Sequence, residues 1–379
     1  MMFSDIERKI KELEEELKRT EYNKATEHHI GKLKAKIARL REELEKRRRK
    51  AKGGPGYDIK KSGDASVAIV GPPGVGKSTL MNALIGKNVS HVGNYLFTTN
   101  KVVPGMMEHS GINIQLLDLP GLLEGASEGR GEGKKVLSVV RSADLALIVL
   151  DVYTYEFTEM ILREMYKAGI RINKRRPNIK VTKTGTGGIQ IHASNDIGLS
   201  MEIIKEALIE LGYHSAEITI NERGITIEDI IDAALGNRAY IPAIFVLNKV
   251  DLVIDDINYL RNISYYFRSL GIKKEDSVAV SALKGWNIDV LKEKIISKLN
   301  LVRVYLKPPN GSPDYSSPLV LKSPARVADV CEKLGENFIE DFKYACVWGR
   351  SVKYPGQRVG LEHVLSDGDV ITIYLKKRA

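Results

Sequence analysis

Two motifs far apart in the chain could hold the two ends of one guanine nucleotide. Gly71-Pro72-Pro73-Gly74-Val75-Gly76-Lys77-Ser78 fits the pattern G-x-x-x-x-G-K-[ST]. Small residues there let successive backbone N–H groups converge on phosphate oxygens. Lys77 is expected to reach the β- and γ-phosphates, and the Ser78 hydroxyl, followed by Thr79, to meet Mg²⁺. Asn248-Lys249-Val250-Asp251 supplies the other end. A carboxylate at Asp251 can accept from the ring N–H and the exocyclic amine of guanine. Adenine offers neither donor in that geometry. Such a site rejects the wrong base by roughly 10⁴-fold in favourable cases. The tetrapeptide alone is a weak signal; it gains weight from the phosphate loop upstream and from the strand-like run at 244–247 before it.

Further residues fall into series between and after these two. Asp118-Leu119-Pro120-Gly121 follows a strand-like run at 112–117. Asp118 suits an outer-shell contact to Mg²⁺, and the Gly121 N–H suits the γ-phosphate. A Thr in the Thr98-Thr99 pair can bind Mg²⁺ only while the γ-phosphate is present, which makes that segment a switch. Ser281-Ala282-Leu283 follows another strand-like run and would back the guanine with backbone N–H groups. The position directly after the Asp118–Gly121 motif, where a water-orienting Gln would sit, is Leu122, and Leu123 comes next. An apolar side chain cannot polarise water, so unassisted turnover is expected to be slow. The Gly-rich run at 125–133, with Arg130 inside it, is expected to take up order only with γ-phosphate or a partner.

The elements that must position these residues can be read from periodicity. Residues 67–70 read as a buried strand before the phosphate loop, and 79–85 as the opening of a helix after it. Residues 143–150 read as a strand ending at Asp151. Nearly a hundred residues then separate it from Asn248, too many for a loop. Strand-like 179–182 and 189–192, helix-like 200–211, strand-like 216–220 and helix-like 227–235 make that stretch an inserted α+β subdomain. At the N-terminus, Ile6, Ile10, Leu13 and Leu17 form one heptad-like stripe, and Ile30, Leu33, Ile37, Leu40 and Leu44 a second. A break at 20–26 makes the pair a helical hairpin. After residue 300, a strand at 302–306, a helix at 325–334 and strands at 344–348 and 370–375 suit a small β-grasp sheet.

Composition narrows the class. The chain has 379 residues, 43% of them hydrophobic, so it can build several cores. Cys331 and Cys346 are too few for a disulfide framework or a zinc site, and read as reduced thiols of a cytoplasmic protein. The longest apolar runs have strand length, so no membrane partner is expected. Net charge is +10. Residues 1–52 hold 17 Lys+Arg against 11 Asp+Glu, and they end in the basic run Lys46-Arg47-Arg48-Arg49-Lys50. That favours a polyanion such as RNA; a solvated helix end has similar composition.

Taken together, the segment from Gly71 to Leu80, Phe97-Thr98-Thr99, and the sequence running from Asp118 through Gly121, Leu122 and Glu124 to Gly129 resemble the Obg superfamily of GTPases. Lys61-Ser62-Gly63-Asp64-Ala65, the insertion and the C-terminal module resemble its developmentally regulated GTP-binding proteins (DRG). The resemblance covers almost the whole chain. It implies an α/β P-loop GTPase (G domain) with an N-terminal helical hairpin, an inserted ribosomal-protein-like α+β subdomain and a C-terminal ubiquitin-like β-grasp (TGS) domain. The boundaries expected are 1–56, 57–166, 167–237, 238–300 and 301–379. It assigns Thr99 rather than Thr98 to the metal, beside Ser78 and Asp118, and Lys77, Thr99 and Gly121 to catalysis. It implies GTP and GDP as ligands, Mg²⁺, GTP hydrolysis without a catalytic Gln, association with ribosomes or structured RNA, and a protein activator or stabilising partner; DNA is not expected. Many relatives carry Ser where this chain has Gly74 and Phe where it has Pro72. Gly74 has no side chain to contact a monovalent cation, so K⁺ stimulation is left open. The compact linkers suit an archaeal member. The rival reading is a nucleotide-gated scaffold for protein partners with no direct RNA role.

Overall fold

The computed structural model describes residues 3–51, 61–86, 102–127, 132–193 and 197–376, with the side chains of residues 3, 4 and 48–51 left aside. The chain separates into two compact units: residues 1–56 with 174–240, and 57–173 with 241–379.

In the first unit the helices Phe3–Arg19 and Glu27–Ala51 close on each other through Ile6, Ile10 and Leu13 against Leu33, Ile37 and Leu44. These are the residues of the two stripes. Between the helices the Asn23 side chain accepts from the N–H groups of Ala25 and Thr26, both at 2.9 Å, and so shapes the turn. The second helix has another packing face. Ala35 enters the core built by the helices Met201–Glu210 and Ile227–Leu235. Gly31 lets the helices approach, since a Cβ there would lie 3.3 Å from Ile203. Lys34 pairs with Glu228, and Asn237 donates to Glu42. The hairpin is thus joined to the insertion. Those two helices cover a three-stranded sheet, in which Ala216–Ile220 is central, antiparallel to Ile179–Lys183 and parallel to Ile189–Ala193.

The second unit is organised by a six-stranded sheet. Its order is Ser277–Ala279, Ala243–Asn248, Leu145–Asp151, Ala65–Val70, Ile112–Asp118, Val103–His109. The first five strands are parallel and the last is antiparallel. The four central strands are buried along most or all of their length, as a parallel sheet covered on both faces requires, and all but Ile112–Asp118, which carries Asn113 and Gln115, are apolar nearly throughout. The antiparallel edge was not anticipated from the sequence. Pro104-Gly105 lies within it and reads as a turn, but an edge strand tolerates Pro. Register sets Ile69 beside Asp118 and Asn248 beside Asp151, so the strand ends form one rim.

The C-terminal module is a second sheet in the order Leu319–Lys322, Leu301–Leu306, Asp369–Leu375, Phe342–Trp348, Gln357–Val359, with the helix Val327–Leu334 on one face. It is anchored to the larger sheet's surroundings. Lys322 donates to Asp144, Lys333 lies 3.6 Å from Asp64, and Arg303 donates to the Ser110 carbonyl at 3.3 Å. Val320 enters the main core. Among the described residues no helix is long and apolar enough to cross a membrane.

Candidate functional site

Ligands of parallel sheets bind at the carboxyl ends of the strands, and the singled-out motifs gather there. The loop 71–76 leaves the strand Ala65–Val70 and enters the helix Lys77–Ile85. Gly76 takes a left-handed backbone, φ 88°, and a Cβ on it would lie 2.6 Å from the Asn248 amide nitrogen. Only glycine meets both demands. Gly74, at φ 79°, shares the conformation.

Lys77 is buried, and its ammonium donates to the carbonyls of Pro72 (2.9 Å) and Gly71 (3.2 Å). Burial pushes its pKa down, and the Asp118 carboxylate works the other way. Ser78 Oγ donates to Asp118 Oδ2 at 2.6 Å. Asp118 Oδ1 is buried with no hydrogen-bond partner. Burial raises the Asp118 carboxyl above its ordinary value, against the pull of Ser78 and Lys77. A buried, unpartnered carboxylate oxygen beside a hydroxyl is an acceptor pair suited to a hydrated hard cation. The donor set present therefore fits Mg²⁺ held by Ser78, with Asp118 behind it. Among the described residues no group of three His, Cys, Asp or Glu forms a separate metal cluster.

Gly121 packs on the phosphate loop, where a Cβ would lie 2.6 Å from Pro73 Cγ and 2.9 Å from its backbone nitrogen. Leu122 is fully buried and its N–H donates to the Gly71 carbonyl at 3.1 Å, whereas Leu123 is exposed. Thr98, Thr99, Phe97 and Arg130 lie outside the described residues.

The guanine-side residues are tied to the same loop. Asn248, also buried, donates to the Val75 carbonyl at 2.9 Å and accepts from the Ala282 N–H at 3.0 Å. Lys249, itself left-handed at φ 61°, donates to the Gly74 carbonyl at 2.8 Å and to Asp151 Oδ2 at 2.6 Å. Asp251 lies in the short helical turn Val250–Leu252. Ser281 is buried, its Oγ accepts from the Lys284 N–H, and Leu283 is exposed beyond it. The structure thus brings together the phosphate loop, Asp118, Gly121, Asn248, Lys249 and Ala282.

Two participants were not singled out from the sequence. Asp151 anchors Lys249; burial alone would raise its carboxyl, but hydrogen bonds from Lys249 and Thr154 outweigh this and hold it below its ordinary value. An Asp ending the strand that pairs with Asn248 was the available signal. Glu164, buried on the helix Phe157–Lys167, accepts from both the N–H (2.8 Å) and the hydroxyl (2.6 Å) of Ser127. Nothing in the local sequence marks that pairing.

The family described as 50S ribosome-binding GTPase matches residues 66–183, the C-terminal region of that domain matches 186–301, and the TGS domain matches 302–375. An uncharacterised GTP-binding protein of Methanocaldococcus jannaschii is 48% identical over 373 residues, covering 98% of this chain and 93% of its own. Developmentally-regulated GTP-binding protein 1 of Xenopus laevis is 44% identical over 374 residues, covering 97% and 98%. Among solved structures, the YchF GTPase of Schizosaccharomyces pombe aligns at 12% identity with TM-score 0.45, over 83% of this chain and 99% of its own.

Proposed function

The chain belongs to the developmentally regulated GTP-binding proteins, GTPases of the Obg type, and from that premise we propose that it is a Mg²⁺-dependent switch that hydrolyses GTP in association with the ribosome. The observation that carries the reading is the pair of bonds by which Asn248 joins the phosphate loop to the Ala282 loop. A single side chain makes base recognition and phosphate grip one structure.

The chemistry assigned to these residues is in-line attack of water on the γ-phosphorus, with cleavage of the bond to the bridging oxygen. Lys77 and the N–H groups of residues 71–76 hold the negative charge on the phosphates. Ser78 and Asp118, with Thr99 by family resemblance, would hold Mg²⁺, which when bound neutralises phosphate charge. The Gly121 N–H would meet the γ-phosphate, and Asp251 would select guanine. Leu122 is turned into the core, so the water must be oriented by another group.

The family description of residues 66–183 and the basic charge of the chain support the ribosomal association. The test is GTP turnover with and without purified ribosomes. Strong acceleration is expected; turnover that ribosomes leave unchanged, with no nucleotide-dependent pelleting, refutes the association. One observation favours the scaffold reading instead. Tyr153 and Leu252, which closely follow Asp151 and Asp251 in the chain, are exposed, as are Phe157 and Ile257, and such residues suit a protein partner.

A further inference from the structure

The C-terminal sheet has one face under helices and one without them. Val302, Val304, Ala345, Val347 and Ile371 are buried with the helix Val327–Leu334. The alternate residues Tyr305, Lys307, Tyr344, Trp348 and Tyr374 point the other way. Register arranges them in rows. Tyr344 lies opposite Tyr374, while Tyr305 and Trp348 flank Val370. The rings of Tyr344 and Tyr374 stack at 4.7 Å with 22° between their planes. The exposed Arg358 guanidinium lies 4.6 Å from the centre of the Tyr344 ring, which makes a three-member column. The Lys307 ammonium lies 4.7 Å from the Trp348 ring centre. Tyr315 packs 5.0 Å from Tyr305.

Asp367, paired with Arg303, and Asp314, next to Tyr315, border the aromatic strands, and Lys333 lies on the helical side, but most of the acidic residues lie away from the aromatic rows. Asp329, Glu332, Glu336 and Glu340 all lie on the helices Val327–Leu334 and Glu336–Glu340, which pack on the opposite face. The aromatic face carries Lys307 and Arg358. By contrast, Lys46 and Arg47 of the N-terminal basic run are engaged with Glu42 and Glu43 one turn back.

We propose that this face binds an unpaired stretch of RNA. Its bases stack on the column of Arg358, Tyr344 and Tyr374 and on Trp348, while Lys307 and Arg358 meet its phosphates. Flat rings and guanidinium planes are the surfaces on which splayed bases stack, and adjacent cations hold the backbone. Base-paired RNA has no base faces to offer and should bind this surface poorly. The proposal rests on the RNA-associated reading above and gives it a site.

The test is fluorescence anisotropy with the full chain and a labelled RNA of roughly ten nucleotides, free of self-pairing, alone and annealed to its complement. The single strand is expected to bind about tenfold tighter than the duplex. Tyr374→Leu and Arg358→Ala should each weaken it by about tenfold, while Tyr374→Phe binds like the parent. Arg358→Lys keeps the charge and loses the plane, so it should keep salt dependence but lose most of the preference for single strands. Equal binding of duplex and single strand, unaltered binding by Tyr374→Leu and Arg358→Ala, or no binding by the parent overturns the proposal. If Tyr374→Leu does not fold, the two variants of exposed Arg358 decide. GTP turnover and ribosome pelleting on the same samples keep the two readings apart. Pelleting without oligonucleotide binding sinks the sheet face alone, and oligonucleotide binding without pelleting sinks the ribosomal association alone.

Discussion

Replacing Asn248 by Ala tests whether the nucleotide site is held together by the bonds described. The side chain is buried, and it is the hydrogen-bond partner of the Val75 carbonyl at 2.9 Å and the Ala282 N–H at 3.0 Å. Alanine leaves a buried acceptor and a buried donor unpaired. Each unsatisfied group costs about 1–3 kcal/mol, so the substitution should cost about 2–6 kcal/mol. The second unit has a local reporter for this, because Trp286 exchanges backbone bonds with Ser281 at 3.1 and 3.3 Å, next to Ala282. With Trp348→Phe as background, Trp286 is the only tryptophan of the chain. Urea unfolding followed by its fluorescence should show a lower midpoint, and GDP affinity should fall with it, since both loops lose their common anchor. Asn248→Asp keeps an acceptor for Ala282 but sets a carboxylate against the Val75 carbonyl, and should be no better. An Ala variant with an unchanged midpoint and unchanged GDP affinity would refute the reasoning.

Three further outcomes follow from particular contacts. Asp118 has its pKa raised by burial; its proton is held more readily folded than unfolded, so its charge costs stability once pH rises through the folded value. Asp118→Asn should therefore be more stable than the parent at neutral pH, by thermal melting without ligands, yet lose Mg²⁺-dependent turnover; a less stable variant contradicts this. Gly121→Ala drives a methyl into Pro73 and should lower GTP turnover at least about tenfold, with GDP affinity affected less; equal turnover would show that the two loops part freely. Asp144 feels burial that would raise its carboxyl, but hydrogen bonds from Lys322 and Ser66 outweigh it and hold the pKa low. That contribution is intact at neutral pH and lost as pH falls below about 4. Limited proteolysis of the C-terminal module should thus increase on acidification, modestly because Lys322 is largely exposed, and Asp144→Asn should show the increase already at neutral pH.

What the sequence disclosed was whatever depends on neighbours along the chain. The phosphate loop, the Asn248 turn and the heptad stripes are local, because backbone geometry and one-face periodicity act over a few residues. The strand Val103–His109 escaped because its Pro-Gly pair carries a local turn signal that only sheet context overrides. The joining of the hairpin to the insertion escaped for a different reason. Gly31, Ala35 and Lys34 look like ordinary positions of a solvated helix until Ile203 and Glu228 are brought beside them. Asp151 is intermediate: its place at a strand end was visible, but its partner Lys249 is set by the pairing of two strands that an insertion separates.

Among the described residues after Asp118, none takes the place of the missing glutamine. Leu122 is committed to the core, and its N–H to Gly71. Leu123 is exposed but apolar. Ala126 lies under Gly133, where a Cβ would collide with it, and Ser127 spends both its N–H and its hydroxyl on Glu164. Within the described residues 121–127, then, no side chain beside Gly121 is both polar and uncommitted to the scaffold apart from Glu124, whose like charge would repel the γ-phosphate. Electrostatic grip by Lys77 stabilises bound GTP and its transition state alike unless something orients the water. On the function proposed here, a group beyond these residues would orient the water, and hydrolysis would be timed by whatever brings that group to the nucleotide.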